Sequence, residues 1–215
     1  KTKRSSHIDT YHGVEVPDPY RWLEDENSNE TKKWVEAQNE VTFKHLDAIG
    51  FRLQVRNRLE KLWNFERMSI PRMHKDYLIF SHNTGMQNQN VIFVQEGING
   101  EPLVLLDPNM LSDDGTVSVS GYSVSNDGKY FAYLISRGGS DWNEVYVIDI
   151  ETRKQLGDHL KWLKFSPITW HNDGFFYSRY EPEDETKSLS GKNEYHSVYY
   201  HKLNTPQSQD KLIFR

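Results

Sequence analysis

The sequence has 215 residues, 36% of them hydrophobic and 13% aromatic, enough apolar side chains for one large domain or two small ones. This composition argues against disorder throughout, and the lack of cysteine excludes disulfide bonds, a thiolate nucleophile and thiolate metal ligands. A formal net charge of −5 argues against nucleic acid as a partner, and no apolar run is long enough to predict a membrane span.

The first 70 residues carry the pattern of helices. Pro17 and Pro19 predict an extended segment, which a single helical turn at residues 21–24 follows. Longer helices are predicted for residues 31–47, with a polar cap at position 28, 29 or 31, and for residues 51–64. Two helices alone make a poor core, so we expect their apolar stripes to pack on another part of the protein.

Beyond residue 70 the hydrophobic pattern alternates, as it does in strands. We therefore divide the chain into a helical segment, residues 1–70, and a β-rich domain, residues 71–215. Residues 120–154 predict an antiparallel meander, whose first turn is the sequence Asn-Asp-Gly at residues 126–128. Residues 107–116 are predicted to be a loop between two such units.

The meander is repeated along the chain. Asn-Asp-Gly recurs at residues 172–174 with a strand pattern on either side, and residues 76–95 form a weaker upstream copy. A repeat of roughly 40–50 residues with about four strands per copy is typical of β-propeller blades. About three blades cannot close a ring, so the sequence predicts part of a larger propeller.

One segment interrupts this pattern. Residues 181–193 (EPEDETKSLSGKN) are polar and charged, with Leu189 as their one apolar anchor, and stand where a short hairpin turn is expected. We interpret the segment as a long mobile loop.

No complete catalytic or metal-binding motif is present. Residues 138–142 (GGSDW) place Ser140 after glycine, but a nucleophile elbow needs G-x-S-x-G between a strand and a helix, and here a strand pattern follows. The nine histidines lack the spacing of paired metal ligands, and residues 112–115 lack the later acidic ligands of a calcium loop. We expect no catalytic residue, no metal site and no cofactor in these residues.

Eight stretches resemble the prolyl oligopeptidase family. They are residues 11–13 (YHG), 16–24 (VPDPYRWLE), 35–39 (VEAQN), 83–89 (NTGMQNQ), 106–109 (LDPN), 111–116 (LSDDGT), 139–142 (GSDW) and 164–166 (KFS). The resemblance covers nearly the whole chain. Oligopeptidase B carries variants of the second stretch, whereas residues 83–89 with 106–116 are closer to prolyl oligopeptidase itself.

The resemblance implies a serine peptidase that cleaves short peptides on the carboxyl side of proline. It implies a mainly β fold with an N-terminal helical segment: a seven-bladed propeller that restricts access to an α/β-hydrolase domain, on which residues 1–70 pack. The Ser, Asp and His of the triad would lie in a C-terminal peptidase domain beyond this sequence.

Within this chain, the resemblance implies one residue that touches substrate. Phe165 would line the pocket for the residue two before the scissile-bond proline, and the 181–193 loop would lie near the substrate entrance. The expected partners are short proline-containing peptides and the C-terminal peptidase domain, in a full-length monomer. We expect a cytoplasmic protein, with the periplasm or secretion left open.

Two other functions stay open at this point. The chain could be a non-catalytic propeller module that binds a partner peptide or protein, or part of an oligopeptidase B-like enzyme that cleaves after basic residues. Downstream sequence separates the three, because both enzymes need a nucleophile elbow with later Asp and His residues, and only the last needs acidic residues in its specificity pocket.

Overall fold

A computed structural model describes residues 1–181 and 193–215. Most of the segment predicted to be a mobile loop therefore lies outside the described residues. The chain divides into two compact units, Lys1–Leu62 and Trp63–Arg215. The second unit begins before residue 70, because the short strand Arg67–Met68 already pairs with the strand Tyr77–Asn83 of that unit.

The first unit contains a β-hairpin, a helical turn and two helices. Its elements are β1 (Ile8–Tyr11), β2 (Val14–Pro17), a 3-10 turn (Arg21–Glu24), α1 (Asn29–Asp47) and α2 (Arg52–Trp63). The predicted helices are thus confirmed to within two residues. The antiparallel hairpin of β1 and β2 was not predicted, since both strands are almost entirely exposed and show no alternation.

Of the three candidate caps, Ser28 is the N-cap residue of α1. Its Oγ accepts a hydrogen bond of 3.1 Å from the backbone N–H of Thr31, as an N-cap serine does. The apolar residues of the two helices lie largely in solvent: Val41 is 68% exposed, and Leu53 and Leu59 are also exposed.

The second unit consists of three successive antiparallel meanders. The first contains β3 (Arg67–Met68) and β4 (Arg72–His74), which both pair with β5, then β5 (Tyr77–Asn83), β6 (Val91–Glu96) and β7 (Leu103–Leu106). The second contains β8 (Val117–Val124), β9 (Tyr130–Arg137), β10 (Asn143–Asp149) and β11 (Lys154–Leu163). The third contains β12 (Thr169–His171), β13 (Gly174–Arg179), β14 (Ser197–Lys202) and β15 (Lys211–Phe214). Within the described residues, one bridge, from Leu163 to Arg179, joins the second meander to the third.

The second meander is buried on both faces. Phe131, Tyr133 and Ile135 of β9 pack with apolar residues of the first meander, whereas the alternate residues Ala132 and Leu134 pack with the third. Each large apolar side chain buried in this way contributes about 1.5–3 kcal/mol. Because both faces are buried, β9 lacks the polar and apolar alternation of a half-exposed strand.

The two Asn-Asp-Gly sequences form turns at the same place in successive meanders, but with different chemistry. Between β8 and β9, Gly128 takes the left-handed conformation, with φ 77°. Between β12 and β13, Asn172 takes it, with φ 50°, while Gly174 already belongs to the strand. Identical sequences thus meet different backbone requirements.

Two of the stretches that carry the family resemblance connect the first meander to the second. The amide of Asn109 donates to the carbonyl of Gln89 at 3.0 Å, and the backbone N–H of Gln89 donates to Asn109 Oδ1 at 2.9 Å. The Gln89 amide in turn donates to the Val117 carbonyl at 2.7 Å and accepts from the Val119 N–H at 3.0 Å. These side chains act as structural links between sheets.

Candidate functional site

Phe165 lies on the surface, in the connection between β11 and β12. Buried residues bracket the connection, Leu163 at the end of β11 and Ile168 before β12. Ser166 fixes its middle, because the Ser166 Oγ accepts from the backbone N–H of Ser178 in β13 at 2.7 Å. Phe165 itself is 71% exposed. An anchored segment therefore presents an aromatic ring to solvent.

This presentation costs free energy. Phe165 has φ 54°, a left-handed conformation that is strained for a residue with a side chain, by about 1–3 kcal/mol. Its exposed ring also forgoes the stabilisation that burial would bring. A residue that is both strained and exposed is a candidate for a binding role, and the sequence had assigned one to Phe165 from resemblance alone.

Lys164 contacts both this ring and a second one. The Lys164 ammonium lies 5.1 Å from the centre of the Trp142 ring and 5.6 Å from that of Phe165. It also lies 3.7 Å from Oδ2 of Asp141. The Lys164 side chain is only 14% exposed, and buried lysines are rare unless they are paired. We call Asp141, Trp142, Lys164 and Phe165 the cation cage.

Aromatic contacts extend the cage toward β13 and β14. Trp142 packs edge-on against Trp162 at 5.5 Å and against Tyr180 at 6.0 Å between ring centres. Tyr180 stacks on His196 at 4.5 Å. Such pairs add about 0.5–1.5 kcal/mol each beyond the area they bury. Trp142 is therefore held in place by neighbouring aromatic rings.

A groove of about 590 Å³ opens beside the cage. Phe165 and Asp141 stand at the groove, and serine hydroxyls form much of its wall; the serines are Ser118, Ser120, Ser123, Ser136, Ser140 and Ser166. The Ser120 hydroxyl donates to Oδ1 of Asn143, whose amide donates to the Asp141 carbonyl at 2.9 Å. The groove thus combines hydroxyl groups with two exposed aromatic rings, those of Phe165 and Tyr122, a combination suited to peptide.

Ser140 lies in the loop between β9 and β10, so a strand and not a helix follows it. Its Oγ accepts from the Trp142 N–H at 3.2 Å, and its N–H donates to the Arg137 carbonyl at 3.0 Å. No imidazole or carboxylate hydrogen-bonds to its hydroxyl within the described residues, so the serine has no general base there.

His201 forms a buried charged network that sequence reasoning missed. Its Nε2–H donates to Oδ1 of Asp158 at 2.9 Å and its Nδ1–H to Oδ1 of Asp210 at 2.7 Å, with all three side chains inaccessible to solvent. Burial opposes the imidazolium charge, but the two carboxylates outweigh it and raise the pKa of His201 to about 9. The Tyr177 hydroxyl donates to Asp210 Oδ2 at 2.7 Å. The network connects β11, β14 and the turn before β15, and it is structural because no substrate can reach it.

A second network surrounds Glu144 at the surface. Its carboxylate accepts hydrogen bonds from Arg137 Nε at 2.8 Å, from the Tyr146 hydroxyl at 2.8 Å and from His159 Nε2 at 2.7 Å. Burial opposes the charge of Glu144, but these three donors lower its pKa to about 2. Arg137, Tyr146 and His159 lie on β9, β10 and β11. Because all three donate to the one carboxylate, the network connects these strands.

No group of three or more His, Asp or Glu side chains in residues 1–181 and 193–215 is arranged to hold a metal ion. Neither α1 nor any other described helix has the length and apolar character needed to cross a bilayer.

Comparison with known proteins decides the family. The family model described as "Prolyl oligopeptidase, N-terminal beta-propeller domain" matches residues 1–215. The chain belongs to the prolyl oligopeptidase family. It is mainly β with two helices, and the three meanders belong to the family's N-terminal propeller domain.

This prolyl oligopeptidase segment matches one part of much longer relatives. It is 46% identical to a prolyl endopeptidase of Elizabethkingia meningoseptica, covering 99% of this chain and 30% of the relative. It is 38% identical to prolyl oligopeptidase A of Amanita bisporigera, covering 98% of this chain and 32% of the relative. The chain therefore spans about a third of the length of the curated relatives it matches.

Solved structures agree with this placement. A structure from a mechanistic study of two prolyl endopeptidases matches with a TM-score of 0.86 and 31% identity, over 100% of this chain and 32% of that one. Prolyl oligopeptidase B of Galerina marginata, bound to a 25mer macrocyclization substrate, matches with a TM-score of 0.81 and 30% identity, over 100% of this chain and 33% of that one.

Proposed function

We propose that this chain is the N-terminal part of a serine peptidase that cleaves short peptides on the carboxyl side of proline. The whole-chain family match and the relatives named prolyl endopeptidase support this activity. They favour it over an oligopeptidase B-like activity. The chain matches only 30% of the length of such a relative, which leaves room for a peptidase domain that carries the triad.

The finer architecture is part of the same proposal. The three meanders are three blades of a seven-bladed propeller, and residues 1–70 pack on an α/β-hydrolase domain. The exposed apolar residues of α1 and α2 support this arrangement, because a large exposed apolar surface marks an interaction site. The propeller would then restrict access to the active site.

Phe165 is the residue that we propose to contact substrate. The observation that carries this role is the strained and exposed ring at the edge of a hydroxyl-lined groove. Its ring would pack against the substrate residue two before the scissile-bond proline. Such contact is apolar binding and contributes no chemistry, because a phenyl ring neither transfers protons nor stabilises a developing charge.

Steady-state kinetics of the full-length protein test both claims. The wild type should hydrolyse a chromogenic peptide after proline, and Phe165→Ala should raise KM about tenfold to a hundredfold with a smaller change in kcat. Ile98→Ala removes another exposed apolar side chain, on the turn between β6 and β7, and is the control. A wild type without activity would contradict the peptidase proposal and leave the non-catalytic binding module as the remaining function. An unchanged KM in Phe165→Ala would contradict the role of Phe165.

A further inference from the structure

The cation cage has the composition of a binding site for an ammonium group, and a residue of the chain itself occupies it. Two aromatic rings lie within roughly 6 Å of a cation, the distance at which cation–π attraction is significant. A carboxylate completes the cage at 3.7 Å. Asp141 keeps 65% of its side chain exposed at the groove, so the carboxylate also faces the space in which a peptide would lie.

The backbone explains how Lys164 and Phe165 come to face the same cage. Successive residues of an extended strand point to opposite faces. The left-handed conformation of Phe165, with φ 54°, interrupts the extended chain just after β11, and both side chains contribute to one cluster. The strain at Phe165 thus serves the cage as well as the exposure of the ring.

We infer that Lys164 is a specificity-determining residue: its ammonium positions the Phe165 ring for neutral side chains of the substrate and keeps basic side chains out of the cage. This inference rests on the proposed contact between Phe165 and substrate. The Lys164 charge holds the ring through the cation–π contact while Phe165 stays 71% exposed. A basic side chain that approaches the ring meets a like charge, and the carboxylate that would attract it is already paired with Lys164.

Lys164→Met in the full-length protein separates the two effects. Methionine keeps an unbranched apolar side chain in place of the lysine stem, but it removes the ammonium and with it the ion pair to Asp141 and the cation–π contacts to Trp142 and Phe165. We compare three chromogenic substrates that differ only in the residue two before proline, which is Phe, Gly or Lys. We expect kcat/KM to fall about threefold to tenfold for the Phe substrate, to stay the same for Gly, and to rise about threefold to tenfold for Lys.

Two variants serve as controls. Lys164→Arg keeps a cation over the rings and should retain the wild-type order of the three substrates. Lys202→Met removes a lysine whose ion pair with Asp173, at 3.0 Å, lies at the exposed turn between β12 and β13. This variant should leave kcat/KM unchanged for all three substrates. Adding Asp141→Asn to Lys164→Met should abolish the gain for the Lys substrate, because that gain depends on the freed carboxylate.

Equal changes for all three substrates in Lys164→Met would overturn the inference, since a purely structural role has no preference among them. If Lys164→Met does not fold, Asp141→Asn alone decides. Asp141→Asn leaves the Lys164 charge unbalanced, so kcat/KM should fall more for the Lys substrate than for the Phe substrate. An unchanged ratio of these two kcat/KM values would overturn the inference. Phe165→Ala distinguishes failure of the proposed Phe165 contact from failure of the inference about Lys164. If Phe165→Ala leaves kcat/KM for the Phe substrate unchanged, the proposed contact between Phe165 and substrate is wrong. If Phe165→Ala lowers that kcat/KM but Lys164→Met does not change the preference among the three substrates, only the role of Lys164 is refuted.

Discussion

A Cβ atom on Gly174 would lie 1.9 Å from the carbonyl oxygen of His201. The same atom would lie 3.0 Å from the Cα of Lys202, the residue that pairs with Gly174 in the sheet. Real Cβ atoms do not approach backbone so closely, so β13 and β14 can pair in this register only with glycine at this position. The requirement is close packing, because Gly174 does not have the positive φ that Gly128 has in the corresponding turn.

The first prediction concerns this close approach. Gly174→Ala should destabilise the full-length protein by roughly 1–3 kcal/mol, since the added methyl group forces β13 and β14 apart. Chemical denaturation followed by tryptophan fluorescence measures the change. The control is Gly157→Ala in β11, where an added Cβ meets nothing within 4 Å. Equal stability of the two variants would contradict the packing argument.

The repeat and the helices could be predicted from sequence, whereas β11 could not. Turn residues and apolar runs are local signals, and they located β9, β10, β13 and both helices. β11 is ten residues long, yet it alternates buried and exposed positions with the charged residue Asp158 at one of the buried ones. That burial is stabilised by His201, which is far away in the sequence, so no local pattern reveals it.

The second prediction is a pH dependence of stability. The pKa of His201 rises from 6.5 to about 9 in the folded protein, which corresponds to roughly 3 kcal/mol. A raised histidine pKa gives stability that is fully present below pH 6.5 and is lost as the pH rises through 9. Burial and Asp210 raise the pKa of Tyr177, so its hydroxyl stays protonated in this window.

Unfolding free energies at pH 6 and pH 10 test this effect. His201→Gln should be less stable than the wild type at pH 6, and it should lose less stability than the wild type between the two pH values. His45→Gln, at an exposed position of α1, is the control and should follow the wild type. A His201→Gln variant with the full pH dependence of the wild type would show that another group is responsible.

The candidate site was only partly predictable. Phe165 was found through the resemblance of residues 164–166 to a family, since nothing in its own pattern separates it from a core phenylalanine. The cage was not found, because Lys164 and Trp142 come from different loops and meet only after β10 and β11 have paired. Local sequence shows which residues are present, but the pairing of strands decides which of them meet.

The third prediction concerns Ser140. Its hydroxyl accepts one backbone hydrogen bond in a hairpin loop and has no base beside it in the described chain. Ser140→Ala in the full-length protein should therefore lower kcat by less than about tenfold, whereas loss of a true nucleophile costs about a millionfold. Hydrolysis of a proline-containing chromogenic peptide gives the answer. Complete loss of turnover in a folded variant would make Ser140 catalytic and contradict our interpretation.

The last prediction concerns β15, the edge strand of the third meander. Among the described residues, β15 pairs only with β14. Its residues Leu212, Ile213 and Phe214 are exposed, and Lys211 is the one charged side chain of the strand. An exposed apolar edge strand is a template for pairing with another chain. Residues 1–215 produced alone should therefore associate increasingly as concentration rises.

Ile213→Lys should increase the monomer fraction in sedimentation velocity, because a second lysine opposes edge-to-edge pairing. Ile98→Lys adds the same charge at an exposed turn away from the edge and should leave the association unchanged. Equal monomer fractions in the two variants would assign the association to a surface other than β15.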